Sequence, residues 1–397
     1  MKRLKATNLK EQNYIDIVKL LKIGNYSRAD IAYNLELSKA SISVLVDDLI
    51  NMGIIYEKCD GESSSVGGKK PILLDINKNL GYFIAVHFRR EICNIAVVNL
   101  ENEILEECEA EVKIFDDFRL TFNPIIDKIK EFIVKYKKVF SVGVSVPGKI
   151  GKKNNLLIDC MGIKEWSNIP LKEYIEENIN IEVIIDRYAC AMLTYNMLEE
   201  MKKSMPIQNS SVYIYLSNWI GVSVSHNGRI LYGTHDTAAN YSHTIVTDSD
   251  YICNCGKKGC WESVASIRAF MNELKKRDSK YSNLSFDDIV EEHINDDIVV
   301  DTYKNFLAHW VSIGIYNIIN TFDPEIIFIG GEMLYLGDSF IEEIKYNIKN
   351  KFNSYNFVTD IQIVDNFKNI EINAAASVAI YDFYNNSLYR KLRGKYI

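Results

Sequence analysis

The sequence predicts an α/β protein in two parts: an N-terminal winged helix-turn-helix over residues 1–78 and a larger α/β domain over 79–397. Three observations carry this expectation. The chain has 397 residues, 47% hydrophobic and 25% charged, which suits two or three compact units of an ordinary globular protein. Its first eighty residues repeat apolar side chains at helical spacing and close on two strand-like runs. Beyond residue 81, strand and helix patterns alternate, the mark of a mixed α/β architecture.

Charge narrows the partners. The net charge is −7, yet residues 1–80 hold 12 Lys and Arg against 10 Asp and Glu, a net of +2, while the rest hold 34 against 43, a net of −9. An acidic protein binds nucleic acid only where its positive charge is local, so the first eighty residues are the place to look. The opening Met1-Lys2-Arg3-Leu4-Lys5 leads into polar sequence rather than the apolar core of a secretory signal. No apolar run approaches the ~20 residues of a membrane span. The expectation is a cytoplasmic protein with no membrane partner.

Tyr14, Ile17, Val18 and Leu21 recur at i, i+3, i+4 and i+7, the stripe of an amphipathic helix. Gly24-Asn25 ends it. Ser27-Arg28-Ala29-Asp30 matches a capping box, in which Ser27 and the Asp30 carboxylate satisfy free amides at a helix start; Ile31 and Leu35 of this short helix face inward. Ser38 caps a third helix with Ile42, Leu45, Val46 and Leu49 on one face, and Gly53 stops it. "IIYEKC", "DGESSSVGGKK" and "PILLDI" then read as a β-hairpin with a flexible tip. With one face of the third helix buried, Ser38, Lys39, Ser41, Ser43 and Val44 are left for the major groove of double-stranded DNA. Lys69 and Lys70 stand at the wing, and Ser27 and Arg28 open the second helix, where amides and a cation hold a phosphate. Any one of these residues alone is as well explained as solvated surface; the ordered set of elements favours DNA. The return strand runs directly into "NLGYFIAVHF", so movements of the larger domain can be felt by the DNA-reading unit.

In the larger domain "YFIAVHF" and "ICNIAVVNL" read as adjacent strands, with "ENEIL" a turn into a third. "FSVGVSVPG" is a buried strand ending on a Pro-Gly turn, and "IEVIIDRYACAML" is a strand leading into a helix. "SVYIYLSNWIGVSVSHNGRIL" is a strand pair around a loop, and "DPEIIFIGG" a late strand flanked by helices. The expected arrangement is two lobes around a cleft, residues 79–200 with the C-terminal helix, and 201–372.

"CNCGKKGCWE", residues 253–262, holds three of the eight cysteines within eight positions. A metal site and a redox or disulfide staple compete for such a cluster; with no secretory signal, metal-binding or free thiols are the commoner use. Cys59, Cys93, Cys108, Cys160 and Cys190 are scattered and read as buried small hydrophobes. His226, His235, His293 and His309 lack a partner at ligand spacing and read as surface or packing residues.

These motifs resemble the ROK family of bacterial sugar kinases and sugar-responsive repressors, whose large domain is a two-lobed, actin-like ATPase fold. The resemblance covers essentially the whole chain. The N-terminal module with its "GGKKP" wing is similar to that of the family's xylose and N-acetylglucosamine repressors; the kinases lack it. The family pairs a Gly-His with Cys-x-Cys-Gly-x-x-Gly-Cys-x-Glu, matched here by His243, Cys253, Cys255, Gly256, Gly259, Cys260 and Glu262. Cys253 and Cys255 are too close in sequence to join by an unstrained disulfide. The resemblance implies a Cys₃His zinc site of His243, Cys253, Cys255 and Cys260, structural because protein fills all four positions.

The kinase machinery is altered. The family's first phosphate loop, Asp-x-Gly-x-Thr, is replaced by His87, Phe88, Arg89, Arg90 and Glu91, which lack the glycines that let amides approach phosphate. Its second, glycine-rich loop is "SNWIGVS", Ser217 to Ser223, with Gly221 alone retained and Trp219 in the middle. The catalytic Asp of an Asn-Asp-Ala-Asn segment falls on Arg187, with Asp186 on the Asn; an arginine accepts no proton. A one-residue slip would place Asp186 on the base, and both registers stay open. ATP binding is not expected.

Sugar contacts implied by the resemblance are Asn168, Asp186, Arg187, Asn240, His243 and Glu262, with Trp166 as a wall in "EWSN". His243 and Glu262 are retained, whereas Asp186, Arg187 and Asn240 depart from the family's residues. Losing carboxylates points toward an acidic sugar clamped by Arg187; the competing reading pairs Arg187 with Asp186 or Glu262 and leaves the pocket empty. The sequence is therefore read as a sugar-responsive DNA-binding regulator, a repressor of a carbohydrate-utilisation operon and a homodimer or larger homo-oligomer. The alternatives are an ATP-dependent sugar kinase with an added DNA-binding domain, or a DNA-binding protein with a decayed effector pocket.

Overall fold

The computed structural model describes residues 6–60, 70–89, 91–160, 163–203, 210–352, 358–365 and 367–388. The chain forms two compact units: Met1–Arg187 with Leu198–Ile207 and Ile372–Ile397, and Tyr188–Met197 with Gln208–Glu371.

The first unit opens with helices α1 (Ala6–Ile23), α2 (Arg28–Asn34) and α3 (Lys39–Asn51). The local chemistry sets their starts. Ser27 and Asp30 form the reciprocal capping box at α2, and the Ser38 hydroxyl accepts from the Ser41 amide at α3. Strands Ile55–Asp60 and Ile72–Ile76 follow as an antiparallel pair. Tyr26–Ser27, between α1 and α2, adds a short third strand against Leu73 and Leu74. Two residues carry no readable period, so the sequence did not show this strand.

Behind this module stands a five-stranded sheet in the order Val183–Arg187, Val139–Val146, Tyr82–Phe88, Ile92–Val98, Ile104–Glu111. Its first three strands are parallel and the last three antiparallel. One apolar cluster runs without a break from Ile17, Leu45 and Leu74 of the helical module through Phe83 and Ala85 of the sheet to Ala375, Ala379 and Phe383 near the C-terminus. Gly143 marks the tightest approach there, since a Cβ on it would overlap the Ala375 carbonyl oxygen. The helical module is therefore packed on the sheet rather than tethered to it.

The second unit repeats the topology. Its sheet runs Arg229–Ile230, Ile220–His226, Ser210–Leu216, Ile326–Gly330, Asp360–Ile363, again antiparallel on one side and parallel on the other. Numbered along the chain within each five-stranded sheet, both have the strand order 3-2-1-4-5. The central strands Tyr82–Phe88 and Ser210–Leu216 are buried on both faces, which explains their unbroken apolar runs. The helix Ala308–Phe322 packs on the second sheet through Val311, Ile315 and Ile318.

Candidate functional site

The helical module presents one face of α3. Ile42, Leu45, Val46 and Leu49 are buried, as their spacing requires, and Ser38, Lys39, Ser41 and Val44 are exposed, Val44 by 57%. Ser38 and Ser41 hydroxyls lie 2.8 Å apart and share the cap. Ser27 is buried at 5%, held by Asp30, so its side chain belongs to the cap. Arg28 is drawn inward. Its guanidinium pairs with Asp47 at 2.7 Å and Glu57 at 3.3 Å and donates to the Ser43 carbonyl and hydroxyl. That network ties α2, α3 and the first hairpin strand together, and it occupies Ser43. Lys70 is exposed, whereas Lys69 lies outside the described residues. The sequence reading missed Tyr33 on α2, 85% exposed; an aromatic on the polar face of a short helix was the available signal.

In the second unit, residues 243–262 build a cluster. Gly256 and Gly259 adopt φ of 82° and 72°, backbone that side chains resist, and a Cβ on Gly259 would overlap the Thr247 carbonyl oxygen. The loop can then fold on itself, with the Cys253 amide bonded to the Lys257 carbonyl at 2.8 Å and the Gly259 amide to Tyr251 at 3.0 Å. The ligand atoms of His243, Cys253, Cys255 and Cys260 all lie within 4.8 Å of one another. Cys255 and Cys260 sulfurs are 3.6 Å apart, and His243 Nδ1 is 3.5 Å from the Cys253 sulfur. Tetrahedral zinc with ordinary bond lengths requires roughly 3.8 Å between sulfurs and 3.6 Å from sulfur to nitrogen, so the set fits a zinc ion. Burial pushes the Cys253 thiol up to about 12; a cation is what would hold it as thiolate. Glu262 is buried beside it and accepts from the Ile220 amide at 3.2 Å.

The other expected sugar contacts sit as follows. Asn168 is exposed with φ of 55°. Asp186 is buried at 3% and pairs with Lys152 at 2.9 Å while accepting from the Arg187 amide at 2.8 Å. Lys152 is thus a cationic partner of this carboxylate that the sequence reading did not consider. Asn240 is exposed at the start of a short 3₁₀ turn, Tyr241–His243. Trp166 is a correction. It is fully buried, with ring centroids 4.9 Å from Phe122 and 5.8 Å from Phe88, so it is a core residue and not a pocket wall.

Both loops at the expected phosphate positions are tight turns. Arg89 N bonds the Ile92 carbonyl at 2.9 Å, and Ser217 N bonds Trp219 at 3.1 Å; Arg90 lies outside the described residues. His87 and Phe88 are buried in the sheet. Cys93, Cys160 and Cys190 are buried as expected, Cys108 is half-buried, and the Cys59 side chain lies outside the described residues.

Two repeated sheets of order 3-2-1-4-5, with a Cys₃His cluster on the second, define the class: an actin-like α/β protein. The chain belongs to the ROK family, whose sequence profile matches residues 84–374. It is 28% identical over 360 residues to a xylose repressor of Caldicellulosiruptor bescii, covering 85% of this chain and 88% of that protein. A solved ROK family transcriptional regulator, described as a homologue of the Escherichia coli Mlc protein, superposes with a TM-score of 0.80 over 97% of this chain and 99% of its own, at 23% identity. A ROK family glucokinase from Streptomyces griseus, solved with glucose and AMPPNP, superposes with a TM-score of 0.60 over 75% of this chain and 99% of its own, at 21% identity. No described helix is long and apolar enough to cross a membrane.

Proposed function

We propose that this protein is a sugar-responsive DNA-binding transcriptional repressor of a carbohydrate-utilisation operon, and that it is not a kinase. One observation carries the reading: the regulator covers 97% of the chain, whereas the glucokinase, matched along 99% of its own length, covers 75%. The difference has the size of the N-terminal module. That module has the form of a winged helix-turn-helix, with Lys39, Ser41 and Val44 of α3 reading the major groove and Lys69 and Lys70 on the wing contacting the backbone. Ser27, Arg28, Ser38 and Ser43 act in it chiefly as caps and ties that hold α3 in place.

Zinc is assigned a structural role at His243, Cys253, Cys255 and Cys260, since the four protein ligands complete its tetrahedron. The assigned effector contacts are Asn168, Asp186, Arg187, Asn240, His243 and Glu262. The replacement of the family's carboxylates by Arg187 and Asn240 favours an acidic sugar against Arg187. The substituted loops at 87–91 and 217–223 support the absence of ATP chemistry. A symmetric operator and a homodimer or larger assembly of this chain complete the proposal.

The test is selection of bound fragments from genomic DNA by the full-length protein, with ADP release measured beside it. Enrichment of one symmetric sequence near carbohydrate genes, with no sugar-dependent ADP release, supports the repressor. Sugar-dependent ADP release without enriched DNA would favour the kinase.

A further inference from the structure

A cavity of ≈ 350 Å³ lies in the first unit, bounded by the end of α1, Lys58 and Asp75 of the hairpin, Glu101, Lys202 and Tyr384. None of the residues assigned above lines it. Most of the charges around it are satisfied. Lys58 pairs with Asp75 at 2.8 Å, Lys202 with Glu199 at 2.6 Å, and Glu103 with Lys78 at 2.9 Å.

Lys22, on the last turn of α1, differs. Among the described residues it makes no hydrogen bond or ion pair; its Nζ sits 4.0 Å from the centroid of the Tyr384 ring. Burial pushes its amine down to about 7, with Lys202 adding to the fall and Glu199 and Glu101 opposing it. Lys22 is half-buried; an ammonium partly withdrawn from water without an ion-pair partner is disfavoured, and here it borders a space of the size that small-molecule sites occupy, ~300–1,000 Å³.

We propose that this cavity is a second ligand site, taking a small oxyanion, a carboxylate or phosphate on a metabolite-sized body, against Lys22. The anion supplies a direct ion-pair partner, which Glu101 and Glu199 do not. Leu21, Ile76 and Tyr384 offer apolar surface to the body of the ligand, and Glu101, exposed at the mouth, accepts from its hydroxyls. An occupant would touch α1, the hairpin and the C-terminal segment at once, and so brace the DNA-reading module on its sheet. The site stands apart from the effector residues and does not depend on them.

Binding there favours the charged amine, so at pH 7.5 the amine takes up protons as the anion binds, a change read most simply with acetate, which does not itself titrate there. The experiment is calorimetric titration of the full-length protein at pH 7.5 with inorganic phosphate and, separately, with acetate, in two buffers of different ionisation heat. The expected result is one saturable site per chain for at least one anion, with proton uptake, and the tighter anion identifies the head group. Lys22→Met should weaken binding at least tenfold. Lys22→Arg should bind within a few-fold of the parent but without proton uptake, and it decides the matter should the methionine variant fail to fold. Absence of saturable binding by either anion, unchanged affinity in Lys22→Met, or unchanged proton uptake in Lys22→Arg would overturn the site.

Discussion

Among the contacts that hold Asp186 are those of Lys152 and of the Arg187 amide. Its carboxylate is buried, while Lys152 keeps 29% side-chain exposure, so the pair is partly screened. Lys152→Met removes a cationic partner from a buried carboxylate and should cost about 1–3 kcal/mol of stability, read by denaturant unfolding. An unchanged midpoint would mean the pair is ornamental. Gly259 is the sharper case. Its positive φ and the Thr247 carbonyl leave no room for a methyl group, so Gly259→Ala should open the loop and release the metal. Measured zinc per chain should fall from one toward zero together with a lower melting temperature; full zinc content in a stable variant would show that the loop closes some other way. Spacing alone showed the three cysteines as a cluster, because they are local; His243 and the zinc reading came with the family resemblance. Spacing could not reveal Lys152, which is 34 residues from Asp186, nor that Trp166 points inward, since an aromatic type does not tell which side of a loop it takes.

Among elements, α3 was the most legible. Its cap, its four-residue apolar face and its stop are local features, and each is where the pattern places it. The short Tyr26–Ser27 strand was hidden because two residues have no period. The role of Arg28 was hidden because its partners, Ser43, Asp47 and Glu57, come from two other elements. These two kinds of residue separate in a DNA titration. Lys39→Ala should weaken binding to every sequence and lower the slope of log K against log salt by about 1. Arg28→Ala should weaken selective binding through loss of helix placement while leaving that slope nearly unchanged. Equal slope changes for both would return Arg28 to the phosphate-contacting group.

For the whole molecule, the fold class was legible because both sheets write their central strands as continuous apolar runs and both end a strand at a glycine or proline turn. The shared strand order of the two units was not, since order depends on pairings between segments far apart in sequence. The continuity of the apolar cluster from α1 to Phe383 was equally hidden. It makes the N-terminal helical module part of the first unit's core, a physical route by which occupancy of the large domain can reach α3. Coupling of that kind is reciprocal: if a sugar weakens operator binding by some factor, the operator weakens sugar binding by the same factor. The most direct measurement is therefore the affinity of the full-length protein for its selected operator, with and without each of a panel of neutral and acidic sugars, and the affinity for the responding sugar with and without operator. The account predicts one sugar that loosens the operator about 5- to 150-fold, with an equal reciprocal loss. Selective DNA binding that no sugar changes, or a sugar bound equally well by free and operator-bound protein, would contradict it.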